Sequence, residues 1–467
     1  MNSIRGQFWE DELFNIVSEE LANLISIAEG MLRQQQYVEA ENIFRTICGR
    51  WPEDPVGYNG LGIATEGLGR LAEACLLYEK AISFGTNTAP AWNNLGKARF
   101  VQGRVDDALH CYQEAVAARP DFTIALTNLG HTYCEKLDLD SALDSYERTL
   151  YYRPEDQPAH WNRALVHLLR GNYEQGFLGY EWRRIMIGNL QRVFAEPLWD
   201  GFDIEGKTIL LHAEQGFGDT IQFIRFADLV AQRGARVLLD CQPELMPLLQ
   251  GVRGLSELIS RGNPLPAFDT HCPLPSLPWA LRMSLGTIPA SVPYVHIDEG
   301  RSERWAKRLA EAPRDLRIGI SWSGAPRFAK DADRSTSPEQ FERIAQIPGV
   351  TLFNLQKDAL RNGEIPLLRL PNVIDFTAEL TDFAETGALI RNLDLVISVD
   401  TVIAHLAGAL GKPVWTLLPF LPDWRWLLDR ADSPWYPSMR LFRQPSRRDW
   451  TSVFMGVANE IARSLQP

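Results

Sequence analysis

Two short segments of this chain bring together residue types that can handle an anionic ligand. The first is His212-Ala-Glu-Gln215-Gly216-Phe-Gly218-Asp219-Thr-Ile-Gln-Phe-Ile-Arg225. Glycines in a turn let the backbone come close to a ligand, and Asp219 stands at the entrance of a helix with apolar period. A carboxylate there can be an N-cap and nothing more. The Gly-x-Gly pair also lacks the third glycine of a dinucleotide fingerprint. The second segment is Ser398-Val-Asp400-Thr401-Val402-Ile403-Ala-His405-Leu-Ala-Gly408-Ala-Leu-Gly411-Lys412-Pro413. A strand-like run ends at Asp400, which suits an N-cap, and a helix of about ten residues runs to a Gly-Lys-Pro stop. Free N–H groups at Thr401, Val402 and Ile403, with the Thr401 hydroxyl, would face the crevice, where the helix dipole favours a diphosphate. His405 falls one turn after Thr401 on the same face, although a histidine so placed ordinarily packs.

Other polar groups also follow strand-like runs. Ser321-Trp-Ser323-Gly324-Ala-Pro-Arg327 comes after one of them, with Lys330 and Arg334 soon behind. Cations on such a loop can neutralise a leaving diphosphate, although surface lysines and arginines are ordinarily just solvated. Gln356 and Lys357, at the end of the next run, are placed to meet a base or ribose.

These residues need strands behind them. TILLHAE (208–214) and RVLLDCQ (236–242) read as buried strands of one lobe. RIGISWSG (317–324), TLFNLQ (351–356), NVIDFT (372–377), LDLVISVD (393–400) and PVWTLLP (413–419) read as strands of a second. Their alternation with helical stretches predicts two parallel-sheet α/β lobes, with ligands beyond the carboxyl ends of the strands. The proline-rich stretch from about 260 to 295 is expected to be irregular lobe-to-lobe structure.

The amino-terminal part is built differently. Gly62, Gly96 and Gly130 are 34 residues apart, as are Ala40, Ala74, Ala108, Ala142 and Gly176, and the aromatics Phe44, Tyr78, Tyr112, Tyr146 and Tyr180. This is the period of a tetratricopeptide repeat, two antiparallel helices per unit. Five registers fit: 21–54, 55–88, 89–122, 123–156 and 157–190. The last departs from the pattern, with Arg163 at a usual Leu position and Arg183 at a usual Ala position. That is expected of a cap or a joint to the next domain. Asn94, Asn128 and Asn162 recur on the first helix of successive units, a row along the concave face whose amides can grip the backbone of an extended peptide. Asparagine is also common at this position in repeats without that role.

The arrangement strand–Asp400-Thr401-x-x-x-His405-Leu-Ala-Gly-Ala-Leu-Gly-x-Pro is similar to the donor-binding motif of heptosyltransferase-like glycosyltransferases of GT-B fold (family 9-like). Gly216-Phe-Gly218-Asp219 looks like the first-lobe motif of that family, whose aspartate is the catalytic base. With Asp423-Trp-Arg-Trp426 and Ser433-Pro-Trp-Tyr-Pro437, residues 208–445 resemble bacterial tetratricopeptide-repeat glycosyltransferases. The asparagine row resembles the ladder of O-linked N-acetylglucosamine transferase. One departure is Val402, where heptosyltransferases usually have Gly, which puts a heptose donor in doubt and spares a pocket made of main-chain N–H groups.

The resemblance implies an α-solenoid followed by an α/β GT-B enzyme of two Rossmann-like lobes. The corresponding boundaries are a helical lead-in (1–20), repeats (21–190), an acceptor-side lobe (197–310) and a donor-side lobe (311–467). It also implies Asp219 as base, a nucleotide sugar as co-substrate, no further cofactor and no metal. Asp331-Ala-Asp333 has the Asp-x-Asp form of metal-dependent transferases, but Asp138-Leu-Asp140 has it inside a repeat, so the form carries little weight here.

Bulk properties bound the partners. The 467 residues carry 47 Lys and Arg against 59 Asp and Glu, a net charge of −12, which argues against nucleic acid. Six cysteines without C-x-x-C spacing read as reduced thiols of a cytoplasmic protein. The first residues lack a signal-peptide pattern, and no apolar run of about 18 residues predicts a spanning helix. Three functions stay open at this level. One is sugar transfer to a protein hydroxyl held by the repeats, flagellin or another surface protein being the kind of acceptor the resemblance suggests. The others are transfer to a saccharide or lipid-linked acceptor, and a repeat adaptor whose α/β half is inactive.

Overall fold

The computed structural model of the protein describes residues 19–186, 192–313, 315–324, 331–357, 370 and 372–465. The chain forms two compact units that divide between Arg163 and Ala164.

In the first unit, helical residues 19–33 are followed by helices Tyr37–Arg50, Pro55–Gly67, Leu71–Ser83, Ala89–Val101, Val105–Ala118, Thr123–Glu135 and Leu139–Tyr152. Local chemistry sets their ends. The Asp54 and Asp138 carboxylates accept N–H bonds from Gly57 and Ser141 at two helix starts. Pro52, Pro120 and Pro154 each follow two residues after a helix end, where a missing N–H costs least. Small residues recur because aromatic rings lie against them: a Cβ on Gly62, Gly96 or Gly130 would come within 2.5, 2.8 and 2.6 Å of Tyr78, Tyr112 and Tyr146. Those three tyrosines are at most 3% exposed, so the rings have nowhere to go. Gly96→Val should therefore destabilise the chain by about 1–3 kcal/mol through overpacking. A lowered urea midpoint at unchanged slope would register it, and an unchanged midpoint would contradict this account of the repeat.

In the second unit two sheets carry the fold. The first contains β1 (Thr208–His212), β2 (Arg236–Cys241), β3 (Glu257–Ser260) and β4 (Thr270–Pro273). The second contains β5 (Leu316–Ser321), β6 (Val350–Asn354), β7 (Val373–Asp375), β8 (Leu395–Val399), β9 (Val414–Leu418) and β10 (Met439–Arg443). Every pairing within them is parallel. The orders are β3-β2-β1-β4 and β10-β9-β8-β5-β6-β7. In each, the chain builds outward in one direction and then returns to start again on the other side. The reversal lies between β1 and β4 in the first sheet and between β5 and β8 in the second, and ligands of open α/β sheets bind at such switch points.

β4 corrects the expectation of irregular structure over 260–295. Its four residues between proline-rich flanks carry no periodic signal, and pairing with β1 is what makes them a strand. β3 and β10 are likewise too short and too charged to stand out in sequence. Among the described residues no helix is long and apolar enough to cross a membrane.

Candidate active site between two parallel sheets

The loop after β1 leads into helix Phe217–Phe223, and the loop after β8 into helix Val402–Ala409; the two helices pack directly on each other. Their contact explains Gly218. A Cβ there would lie 2.8 Å from the His405 ring, so only glycine allows the two helices to approach this closely.

Asp219 is the third helical residue, and the N-cap is Gly216, which corrects the reading of Asp219 as the cap itself. Its Oδ2 accepts the Gly216 N–H at 2.9 Å. Its Oδ1 accepts from Arg425 Nη2 at 2.5 Å, across 206 residues of sequence. The side chain keeps about a fifth of its surface exposed (21%). Burial raises the Asp219 pKa above the ordinary carboxylate value; Arg425 opposes this, and the nearby Asp423 adds to it.

Arg425 is the residue that motif reading left unassigned. It is buried, donates to Asp423 at 2.9 Å and to Gln222 Oε1 at 2.5 Å, and its guanidinium lies 4.4 Å over the Trp424 ring. Burial works against its charge, but Asp423 and Asp219 hold it protonated. Nothing in local sequence distinguishes it from a surface arginine; its only signal was a place inside the quoted Asp423–Trp426 motif.

The donor-side helix differs in detail from expectation. Thr401, not Asp400, is its N-cap: the hydroxyl accepts the Ile403 N–H at 3.3 Å and meets Ser398 Oγ at 3.1 Å. That hydroxyl is buried against its own helix, so neither it nor the Ile403 N–H is free for a ligand as expected. Val402, the first helical residue, is partly exposed. Asp400 is buried and its pKa is pushed up to about 6, first by burial and then by Asp423, with Arg334 and Arg425 pulling the other way. Its folded-state pKa exceeds its unfolded one, so the fold takes up a proton between about pH 4 and 6 and loses stability as pH rises through that window. Asp400→Asn should thus raise stability by about 2–3 kcal/mol above about pH 7 and leave it unchanged near about pH 4. Thermal melts at the two pH values check this; an equal shift at both would refute the titration.

His405 is buried, with Nδ1 2.9 Å from the Tyr436 hydroxyl and its ring against Trp426. Burial, followed by Arg425, Arg225 and Arg334, drives its pKa far down, so the imidazole is neutral. It belongs to the helix–helix contact more than to an open crevice face.

Around the β5 end, Gln356 Oε1 accepts from Ser321 Oγ, Trp322 N and Ser323 N at 2.9, 3.2 and 3.0 Å. Its carbonyl oxygen is spent shaping the loop. Lys357 Nζ donates to the Leu380 carbonyl at 2.6 Å, which engages one of its three N–H groups. Arg334 is drawn to Asp331 at 3.4 Å beside Gly324, and Asp331 also accepts from Ser335 Oγ at 3.0 Å. Asp331 is thereby a loop organiser. Arg327 and Lys330 lie outside the described residues. Gln215, on the other side, meets the Tyr180 hydroxyl and accepts at its main-chain oxygen from Gln242. Among the described residues no group of three or more His, Cys, Asp or Glu is placed to hold a metal ion.

The asparagines of the first unit bond to one another. Asn128 Nδ2 donates to Asn93 Oδ1 at 2.9 Å, Asn93 to Asn94 at 3.4 Å, and Asn94 to Asn59 at 2.9 Å. The expected row of open amides is therefore partly consumed as an inter-repeat zipper. Asn162 lies half-buried in helix Gln157–Leu169.

Comparison with known proteins agrees with this layout. Tetratricopeptide-repeat models match residues 89–122 and 127–177, and the glycosyltransferase family 9 (heptosyltransferase) model matches residues 375–419, from β7 to just past β9. Protein FlbA of Caulobacter vibrioides (strain ATCC 19089 / CIP 103742 / CB 15) is 26% identical over 326 residues, 64% of this chain and 54% of FlbA. The chain thus spans about half the length of that curated relative. Solved structures similar to part of the chain include MamA (20% identical, 35% of this chain, 95% of MamA, TM-score 0.31). Another is a structure from a characterisation of Pseudomonas aeruginosa PilF (16% identical, 46% of this chain, 86% of that chain, TM-score 0.36). The chain joins tetratricopeptide repeats to a region of parallel sheets and helices, a segment of which matches the family 9 glycosyltransferase model.

Proposed function

We propose that the second unit is a GT-B glycosyltransferase that moves a sugar from a nucleotide-diphosphate donor to an acceptor hydroxyl. The observation that carries this reading is one convergence. Helix Phe217–Phe223, which carries Asp219 after β1 at the switch point of one parallel sheet, packs on helix Val402–Ala409 after β8 at the switch point of the other, and Arg334 lies close enough to Asp400, just before that second helix, to act on its charge. In this reading the diphosphate lies against the Thr401 and Val402 N–H groups, since those of Ile403 and Ala404 are bonded to Thr401, and Arg334 offsets its charge. The acceptor O–H gives its proton to Asp219, the oxygen bonds to the sugar's anomeric carbon, and the bond from that carbon to the diphosphate breaks. A carboxylate has room for this: two of its acceptor positions are used by Gly216 and Arg425, others remain, and a raised pKa makes it a better base. The leaving group is neutralised by Arg334 and the helix start, so this route calls for no metal.

The acceptor we favour is a Ser or Thr of a protein held along the repeats. Each asparagine of the zipper retains amide capacity beyond the bonds it makes to its neighbours. The same zipper also favours a second reading, in which those amides serve repeat cohesion, the solenoid only docks the enzyme, and the acceptor is a saccharide or lipid-linked sugar.

Incubating the full chain with a panel of nucleotide sugars tests the function, with nucleotide release as the readout and bacterial protein or glycan pools as acceptors. Release with one donor, accompanied by a sugar-sized mass gain on a protein, supports the favoured reading. A gain on glycan alone selects the second, and no release with any donor refutes the transferase.

A further inference from the structure

The helix Tyr173–Tyr180 is the second helix of the fifth 34-residue unit, yet it lies in the same compact unit as the two sheets. Its aromatic residues are buried against Trp424 and Trp435. The rings of Tyr173, Phe177 and Tyr180 lie 6.1, 5.5 and 5.9 Å from Trp424, and the Trp435 indole donates to the Tyr173 hydroxyl at 3.1 Å. Trp424 is the ring on which Arg425 stacks. The helix therefore braces the arginine half of the Asp219–Arg425 pair.

The turn after the helix reaches the other half. Arg183, fully buried, donates twice to Glu214, through Nε at 2.8 Å and Nη2 at 3.1 Å. The remaining N–H groups go to Ser276 Oγ at 2.6 Å, Glu181 at 2.6 Å and the Tyr180 carbonyl at 3.2 Å. The Tyr180 hydroxyl meets the Gln215 amide at 3.3 Å. Glu214 and Gln215 immediately precede Gly216, whose N–H holds Asp219. An arginine in a position where the repeat pattern expects alanine is strongly unfavourable when buried unless every donor is matched, and here five donor contacts are made. The joint that the departure at Arg183 predicts in sequence is thus built as an anchor on Glu214 and Ser276.

We infer that Tyr180 and Arg183 are positioning residues for the reaction proposed above, acting through Glu214 and Gln215 on Asp219 and through Trp424 on Arg425. The inference rests on Asp219 being the base. A misplacement of about 1 Å at a reacting group can cost on the order of 100-fold in rate. In the full-length chain, Arg183→Lys keeps the charge and loses the two-pronged grip on Glu214, and Tyr180→Phe keeps the ring on Trp424 and loses the hydroxyl that meets Gln215. Both should lower kcat, Arg183→Lys by about 10- to 100-fold and Tyr180→Phe by less, with the donor KM within about twofold. Hydrogen exchange read on the same proteins should quicken at 214–219 in Arg183→Lys and stay unchanged at 402–409. Unchanged exchange at 214–219, or a kcat equal to wild type in both variants, overturns the inference. So does a donor KM that worsens in step with kcat, which marks a general loss of structure. An inactive wild type would instead sink the transferase reading, while the exchange measurement still decides whether this helix holds the loop.

Discussion

Replacing Asp219 with Asn should cost about 10²- to 10⁴-fold in kcat, the range expected for removing a general base. Asparagine nearly matches aspartate in shape, so its Oδ1 can still accept the Gly216 N–H that shapes the turn. What it lacks is a charge and a lone pair basic enough to take a proton at neutral pH. The diphosphate contacts proposed on the other helix are untouched, so the donor KM should stay within a few-fold, roughly the signature of an interaction made only in the transition state. Nucleotide release measured across donor concentration separates the two parameters. Full activity in Asp219→Asn would remove the base from this account. The rate of the wild type should also fall on the acid side at a pH above the ordinary carboxylate range, because burial raises the Asp219 pKa.

Arg425→Met is expected to be the most destabilising single change at the site. Arg425 is 8% exposed and compensates both Asp219 and Asp423. Methionine fills much of its volume but leaves those carboxylates, and Asp400 near them, with less opposing charge. Removing one partner of a buried ion pair costs about 3–5 kcal/mol. The lower end applies here, since Asp219 retains some solvent and can protonate. Linkage gives the sign with pH. With the arginine gone, Asp219 and Asp400 titrate at still higher pH, so the deficit is largest above neutrality and shrinks as acid neutralises both groups. Denaturant melts at about pH 5 and about pH 8 would measure it. A deficit that grows on acidification would mean that the arginine serves packing alone. Arg425→Lys should recover part of the stability and little of the geometry, because a single ammonium cannot reach Asp219, Asp423 and Gln222 together.

How much of this was legible in sequence follows from the range of the forces involved. The repeats declare themselves because each contact between the two helices of a unit, such as Gly96 on Tyr112, is local and recurs at a fixed step. β5, β6, β8 and β9 of the second sheet are legible because buried parallel strands are continuous apolar runs, and Asp400 and Asp219 are legible because they end or follow such runs. The Asp219–Arg425 contact is not, since it joins residues 206 apart and no local pattern encodes it. Arg183 was legible only as a departure expected of a cap or joint, for a related reason. A repeat pattern registers only the loss of alanine, whereas the meaning of the arginine lies in Glu214 and Ser276, which the pattern does not contain. The Thr401 cap and the Lys357 bond to Leu380 are choices between neighbouring partners that differ by a hydrogen bond, too fine for residue type to decide.

The central claim is that a nucleotide-diphosphate sugar sits at the junction of the two parallel sheets. Crystals of the full chain soaked separately with UDP, ADP and GDP test it most directly. The account predicts that at least one binds with its diphosphate on the start of helix Val402–Ala409, Arg334 against it and Asp219 facing it from the other sheet. A nucleotide seated elsewhere, or none bound at saturating concentration, would contradict it.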